Sequence, residues 1–358
     1  MNTEARIARL AEQLPDNVDA ALITSNWGIY YFTGLNSGAG TVIVTRKGAF
    51  FIIDSRYIEI AKKTVKACEV ILQGRVYHQI YEVLSKCGCK TAAVETSYLS
   101  LRAYDQYAKA IPSVTFLKDS HVDDIVKGMR AHKDAWEIEQ IQAAQAITDA
   151  TYTHILNFIR PGRTEIEIAA EMEYFMRRQG AERFAFDTIC ISGPNTSMPH
   201  GVPGTREVRR GDFITMDYGA MVGGYCSDMT RTVAVGEASE EMRAVYDIVL
   251  SAQKAAIEKA AVGVPCCDVD AAARNLITEA GYGACFGHST GHSVGLEIHE
   301  MPGFGAACHT PCEPGHVITV EPGIYIEGKF GVRIEDMIWI RPDGIVDLTH
   351  SDKQFTVV

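Results

Sequence analysis

Two aspartates, Asp217 and Asp228, flank a glycine-bearing turn. Residues 211–219 read as a strand, Met221-Val222-Gly223-Gly224 as a turn, and residues 225–234 as the returning strand. A two-residue loop at Val222-Gly223 sets Asp217 directly opposite Asp228. Moving the loop to Gly223-Gly224 changes the partners but keeps both carboxylates on one face. Opposed side chains have Cβ atoms about 4.5–5.5 Å apart, and like charges that close destabilise the sheet unless a cation lies between them. A metal ion meets that need. On their own, the two acids read more readily as solvent-facing strand residues than as ligands.

Three further stretches bring donors of the same kind. Residues 287–295, Gly-His-Ser-Thr-Gly-His-Ser-Val-Gly, carry His288 and His292 between glycines, and His299 follows ahead of Glu300. Neutral imidazole is a good ligand for first-row metals. Glu321 closes the apolar or β-branched run Val317-Ile318-Thr319-Val320, and Glu335 follows the apolar alternation of residues 331–334. A lone charge at either place would cost several kcal/mol. Each acid alone reads as a salt-bridged or surface residue; all of them together read as a ligand set.

The elements that must position these side chains fall into two blocks. Residues 1–122 form an α/β domain in which short β-rich runs alternate with helical ones. Strands are expected at 20–24, 29–33, 41–44 and 50–53, and near 70–72, 91–94 and 114–117; helices at 57–66, 76–85 and 99–108. The glycine-rich Asn36-Ser37-Gly38-Ala39-Gly40 leads into a strand, not a helix, which excludes a phosphate cradle there. Residues 123–133 read as a linker, and a second domain spans 134–358.

That second domain states one pattern twice. A helix over 134–159 ends at Pro161-Gly162, and the next runs from an N-cap at Thr164 to Gly180. A helix over 240–261 ends at Val262-Gly263, and the next runs from Pro265 to Gly281. Both glycine pairs recur at an offset of 101 residues. The spacing predicts an α+β domain with internal duplication, helices packed on a sheet with approximate two-fold symmetry.

Composition narrows the function classes. With 47% hydrophobic and 22% charged residues over 358 positions, two domains with real cores are expected. The 34 basic residues against 45 acidic ones give a net charge of −11, which argues against nucleic acid as a partner. No apolar run approaches the about 18 residues a membrane span needs. The charged start, Met1-Asn2-Thr3-Glu4-Ala5-Arg6-Ile7, has no apolar signal-peptide core, so a cytoplasmic location is expected. The ten scattered cysteines then read as reduced thiols. Cys308 and Cys312, with His309 between them, lack a second pair at finger spacing, so no structural zinc is expected.

The chain resembles the pita-bread metallopeptidases, in particular the aminopeptidase P and prolidase branch. The motifs that carry the resemblance are Ser192-Gly193-Pro194-Asn195 through Pro199-His200-Gly201, then Asp217 and Asp228, and then residues 291–295. His299-Glu300, Glu321-Pro322-Gly323 and residues 331–336 complete them. The likeness covers essentially the whole chain, with a creatinase-type N-terminal domain ahead of a duplicated catalytic one. It implies that Asp217, Asp228, His292, Glu321 and Glu335 hold two divalent ions, with Asp228 and Glu335 bridging. Asp217 then completes one ion, and His292 with Glu321 the other. Paired ions lower the pKa of a water and polarise the scissile carbonyl.

By the same resemblance Glu321 serves as general acid–base, and His200 and His299 hydrogen-bond the substrate carbonyl and the oxyanion. His288 and Tyr325 line a pocket for the proline ring, and Arg333 orients Glu335 or Asp217. The thiolate-free, oxygen-rich donor set favours manganese, with cobalt, zinc or iron able to load. The expected substrates are short proline-containing peptides and the expected assembly is a homodimer. Aminopeptidase P, acting on peptides that begin Xaa-Pro, is preferred over prolidase, which accepts Xaa-Pro dipeptides. Creatinase-like amidinohydrolases use no metal, and methionine aminopeptidases usually lack such an N-terminal domain. A non-catalytic pita-bread binding module is the remote alternative, and the complete ligand set argues against it.

Overall fold

A computed structural model describes residues 1–358. The chain divides into two units, Met1–Arg130 and Ala131–Val358. The division falls at the end of the helix His121–Ala131, within the stretch expected as a linker.

The first unit is built on a six-stranded mixed sheet. Its strand order is Glu69–Leu72, Gly48–Ile53, Thr41–Thr45, Ala20–Ile23, Thr91–Val94, Thr115–Leu117. Residues 29–33 do not form the expected strand; they lie inside the helix Asn26–Thr33. A short apolar and aromatic run is ambiguous by periodicity alone. Its ends decide the matter: the Ser25 hydroxyl accepts from the Gly28 N–H, and Gly34 closes the helix at φ 72°.

The second unit carries the duplication in its backbone. Helices Glu165–Arg178 and Cys266–Glu279 have equal length and start 101 residues apart, each preceded by a long helix, Ala135–Leu156 and Glu240–Lys259. Capping boxes fix the first pair: Asp134 and Thr164 accept from the backbone of Glu137 and Glu167, whose side chains return the bond. Each helix pair covers its own core. Ile155, Ile168, Met172 and Met176 pack with Ile214, Met216 and Val233 in the first half. Val245, Val249, Val269 and Ile277 pack with Ile318, Val320, Ile338 and Ile340 in the second.

The sheets deliver the acids. In the first half Phe213–Tyr218 lies between Ile189–Ser192 and Met229–Ala234. The hairpin turns at Gly223-Gly224, with φ +53° and +76°, the two positive values that a tight hairpin turn requires. Asp217 therefore pairs with Thr230, not with Asp228. Of the two loop positions considered from sequence, the structure adopts the second, and Asp228 stays diagonal to Asp217 on the shared face. In the second half Val317–Val320 pairs with Asp336–Arg341, so Glu321 and Glu335 flank the end of that ladder. Each half thus supplies one carboxylate at a strand end and one just ahead of the returning strand.

Candidate active site

A cavity of about 1760 Å³ in the second unit is lined by Asp217, Asp228, His292, Glu321 and Glu335, together with His200, His288, His299 and Arg333. Single ligand atoms of Asp228, His292 and Glu335 lie within 4.8 Å of one another. His292 Nε2 is 3.5 Å from Asp228 Oδ2 and 3.4 Å from Glu321 Oε1. Its other nitrogen, Nδ1, donates to the Ser293 carbonyl at 3.2 Å, which leaves the Nε2 lone pair facing the carboxylates. Burial, aided by the neighbouring His299, pushes the His292 pKa down to about 4, so the ring is a neutral ligand at pH 7.

The carboxylates are held from behind. Arg333 Nη2 donates to Asp217 Oδ2 at 2.6 Å, and its Nε donates to Thr230 Oγ1 at 3.0 Å. The Thr230 hydroxyl in turn donates to Glu335 Oε2 at 2.7 Å. Arg333 therefore reaches both residues expected from sequence, Asp217 directly and Glu335 through a threonine. The Thr319 hydroxyl accepts from the His292 N–H at 3.0 Å and donates to Glu321 Oε1 at 3.4 Å.

The remaining shell residues divide. His200 and His299 are exposed to the cavity, and the His299 ring meets His292 edge-on at 4.4 Å between centroids. His288 lines the wall, but Tyr325 sits behind it. The Tyr325 hydroxyl accepts from Arg333 Nη1 at 2.8 Å and donates to His288 Nε2 at 2.9 Å. His288 Nδ1 donates to the Ser289 carbonyl at 2.8 Å. Burial, then the nearby Arg333 charge, pushes His288 down to about 4, so it too is neutral.

Sequence reasoning missed the supports. Arg231 is fully buried; it pairs with Asp336 at 2.7 Å and donates to the Glu335 carbonyl at 2.5 Å, fixing the backbone that aims Glu335. Thr230, two residues beyond Asp228 on the same strand face, was the legible signal.

The donor set fits divalent metal ions. Burial and the charges of neighbouring carboxylates push Asp228 and Glu335 well above the ordinary carboxylate range, and burial takes Glu321 up to about 8. Asp217 Oδ1 is buried and has no hydrogen-bond partner, although Oδ2 is held by Arg333. Acceptors brought so close need more positive charge than one guanidinium supplies. No thiolate is among them.

A duplicated α+β domain that encloses such a donor set in a deep cavity defines a metallohydrolase. Residues 139–342 match the model of metallopeptidase family M24, and residues 6–132 match that of the creatinase/prolidase N-terminal domain. The chain belongs to metallopeptidase family M24: it is a hydrolase acting on peptide bonds, with a pita-bread catalytic domain behind a creatinase-type one. It is 38% identical over 351 residues to a Xaa-Pro dipeptidase of Pyrococcus furiosus, covering 98% of this chain and 99% of that one. Its structure is similar to that of a Xaa-Pro dipeptidase from Bacillus anthracis, with TM-score 0.96, 40% identity and both chains covered in full. An X-Pro aminopeptidase from Thermotoga maritima follows at TM-score 0.91 and 38% identity, with 99% of this chain and 100% of that chain covered.

Proposed function

We propose that the protein is a Xaa-Pro dipeptidase. The observation that carries this reading is a complete carboxylate–imidazole donor set in a chain similar along nearly its whole length to Xaa-Pro dipeptidases. The order of preference formed from sequence is thereby reversed, since aminopeptidase P stood first there. Cleavage of longer Xaa-Pro peptides remains the second reading, supported by the likeness to the Thermotoga maritima X-Pro aminopeptidase.

In this reading Asp217, Asp228, His292, Glu321 and Glu335 would hold the two divalent ions. When bound, the ions supply Lewis-acid polarisation of the scissile carbonyl and a more acidic water. Arg333 orients Asp217 Oδ2 and so turns Oδ1 into the site. Glu321 takes a proton from water and passes it to the imino nitrogen of the leaving proline. His200 and His299 donate hydrogen bonds to the substrate carbonyl oxygen as it gains charge. His288, fixed by Tyr325 and Ser289, presents a neutral ring edge to the proline.

Manganese is the metal this reading favours, because four carboxylates and one imidazole suit a hard ion. A cytoplasmic location accords with ten cysteines that are all free thiols. A homodimer is expected on family resemblance, and sedimentation of the purified protein tests it. The deciding experiment compares turnover of a Xaa-Pro dipeptide with that of a Xaa-Pro-Xaa tripeptide on the manganese-loaded enzyme. Dipeptide hydrolysis without tripeptide hydrolysis is expected; efficient tripeptide cleavage moves the assignment to aminopeptidase P.

A further inference from the structure

A second cluster of metal-ligating side chains lies outside the catalytic cavity. His132, Glu313 and His316 each offer one ligand atom, and the three atoms lie within 4.8 Å of one another. His132 precedes the helix Ala135–Leu156, and Glu313 and His316 belong to the turn that opens the strand Val317–Val320.

Backbone contacts fix the two segments together. The Lys133 N–H donates to the Gly315 carbonyl at 3.0 Å, the Gly315 N–H to the Ile340 carbonyl at 2.9 Å, and the Ile340 N–H to the His316 carbonyl at 2.9 Å. Gly315 has φ +98°, and a Cβ there would come within 3.1 Å of His132 Cα. The approach of the two segments therefore depends on a glycine.

The side-chain geometry calls for a cation. His132 Nδ1 donates to the Pro314 carbonyl at 3.1 Å, as the outer nitrogen of a metal-bound imidazole does. Its Nε2 then points a lone pair at Glu313 Oε2, 3.2 Å away. Two acceptors at that distance need a proton or a metal ion between them. His316 is buried, its ring centroid 5.1 Å from that of His132, and burial keeps it neutral with its pKa pushed down to about 4. Its Nδ1 accepts the Glu313 N–H at 3.2 Å, a hydrogen bond that a metal bound through that nitrogen would replace. Lys133, the nearby cation, is paired with Glu300 at 3.2 Å.

We propose that His132, Glu313 and His316 form a further metal site, selective for a late first-row divalent ion such as zinc. Two imidazoles and one carboxylate suit zinc, whereas the oxygen-rich catalytic set suits harder ions. The ion would fasten the start of the strand Val317–Val320, whose far end carries Glu321. Its role is to hold that strand, and the inference stands independently of the substrate reading.

The test is zinc binding by the full-length protein after dialysis against chelator, read by metal content and by the thermal midpoint. Wild type should bind roughly one more zinc per chain than His132→Ala, in keeping with loss of a three-ligand site. The affinity lost should exceed the about 10–100-fold that removal of an outer-shell partner costs. Glu313→Gln, whose side chain is about half exposed, serves as a second variant should His132→Ala fold poorly. Cobalt also loads the catalytic set, so cobalt substitution should give visible absorption from both sites, and each variant should lose only the share that persists in Asp228→Ala while peptide hydrolysis by its manganese-loaded form persists. Asp228→Ala should keep this zinc and lose the catalytic ions. If Asp228→Ala loses none while His132→Ala loses one, the catalytic assignment fails and this one stands. Equal zinc content and equal zinc-induced midpoints in wild type, His132→Ala and Glu313→Gln overturn it, leaving a proton-bridged pair.

Discussion

Arg333 holds Asp217 by one oxygen only. Nη2 lies 2.6 Å from Oδ2, while Oδ1 is buried without a partner. The guanidinium is almost wholly buried, and burial alone would make it easier to deprotonate. The neighbouring Tyr325, Asp217 and Glu321 outweigh that and hold its pKa well above the usual value. A permanent cation thus stands behind the carboxylates and leaves their outer oxygens to a ligand.

Replacing this residue tests the fork geometry. In metal-free protein, Arg333→Met should cost about 3–5 kcal/mol, because it leaves a buried carboxylate uncompensated. Arg333→Lys keeps the charge but cannot serve Asp217, Thr230 and Tyr325 at once. Both variants should bind metal about 10–100-fold more weakly. Metal titration by calorimetry decides: wild-type affinity in Arg333→Lys would show that charge alone suffices.

Asp228→Ala and Glu335→Ala should each abolish peptide hydrolysis, because each removes a carboxylate from the proposed ligand set. Elemental analysis after manganese loading should show less metal in both. Activity above a few per cent of wild type in either variant contradicts the ligand assignment.

Why the site was legible, and the supports less so, follows from the kind of signal each leaves. A charge at the end of an apolar strand is costly, so Glu321 and Glu335 announce themselves by position, and Asp217 and Asp228 by sharing one face across a glycine turn. Helix boundaries repeated at a fixed offset revealed the duplication, because glycine and proline stops are local. Arg231 and Asp336 left no such mark: their partnership spans 105 positions and exists only once the sheets are packed. Residues 29–33 misled because their apolar composition suits strand and helix alike, and only Ser25 and Gly34 carried the answer. The exchange of Asp228 for Thr230 opposite Asp217 turned on which two turn residues take positive φ, and Gly223-Gly224 is the pair with no Cβ to object.

His200 and His299 are exposed donors beside the carboxylates, and neither is among the five proposed ligands. Removing one preorganised donor to a developing oxyanion costs about 10²–10³ in kcat. Alanine at either position should therefore lower kcat by that order and leave metal content unchanged. A variant that instead loses metal at wild-type kcat per bound ion would show that the histidine is a ligand.

Arg231 and Asp336 form the most deeply buried ion pair, at 2.7 Å, and Asp336 also accepts from Gln253 at 2.7 Å and from Lys353. Arg231→Met should destabilise the fold by about 3–5 kcal/mol, since Asp336 is then left buried with only part of its compensation. The double variant Arg231→Met/Asp336→Leu should recover much of that loss. Denaturant unfolding measures both. A double variant as unstable as the single one would mean that the pair contributes through its hydrogen bonds to Glu335 and to residues 351–352.

Without metal, the clustered carboxylates make stability fall as pH rises. Burial pushes Glu321 up to about 8, and it also raises Asp228 and Glu335, helped by the Glu335 charge beside Asp228 and by the Glu321 and Asp217 charges beside Glu335. The folded metal-free protein therefore retains protons that the unfolded chain releases near 4.5. That contribution is complete below about 4.5 and is lost as pH climbs through about 8. His288, His292 and His316, pushed down to about 4 by burial, act in the opposite sense, but only below about 6.5. Between about 6.5 and 8, of these groups, only the carboxylates change. The metal-free protein should lose about 1–2 kcal/mol per raised carboxylate across that window. Glu321→Gln should lose less, and manganese-loaded protein, its carboxylates already answered by cations, should lose none of it. Thermal melts at pH 6.5 and 8 provide the check, and parallel behaviour of loaded and metal-free protein would refute the view that these acids await a metal.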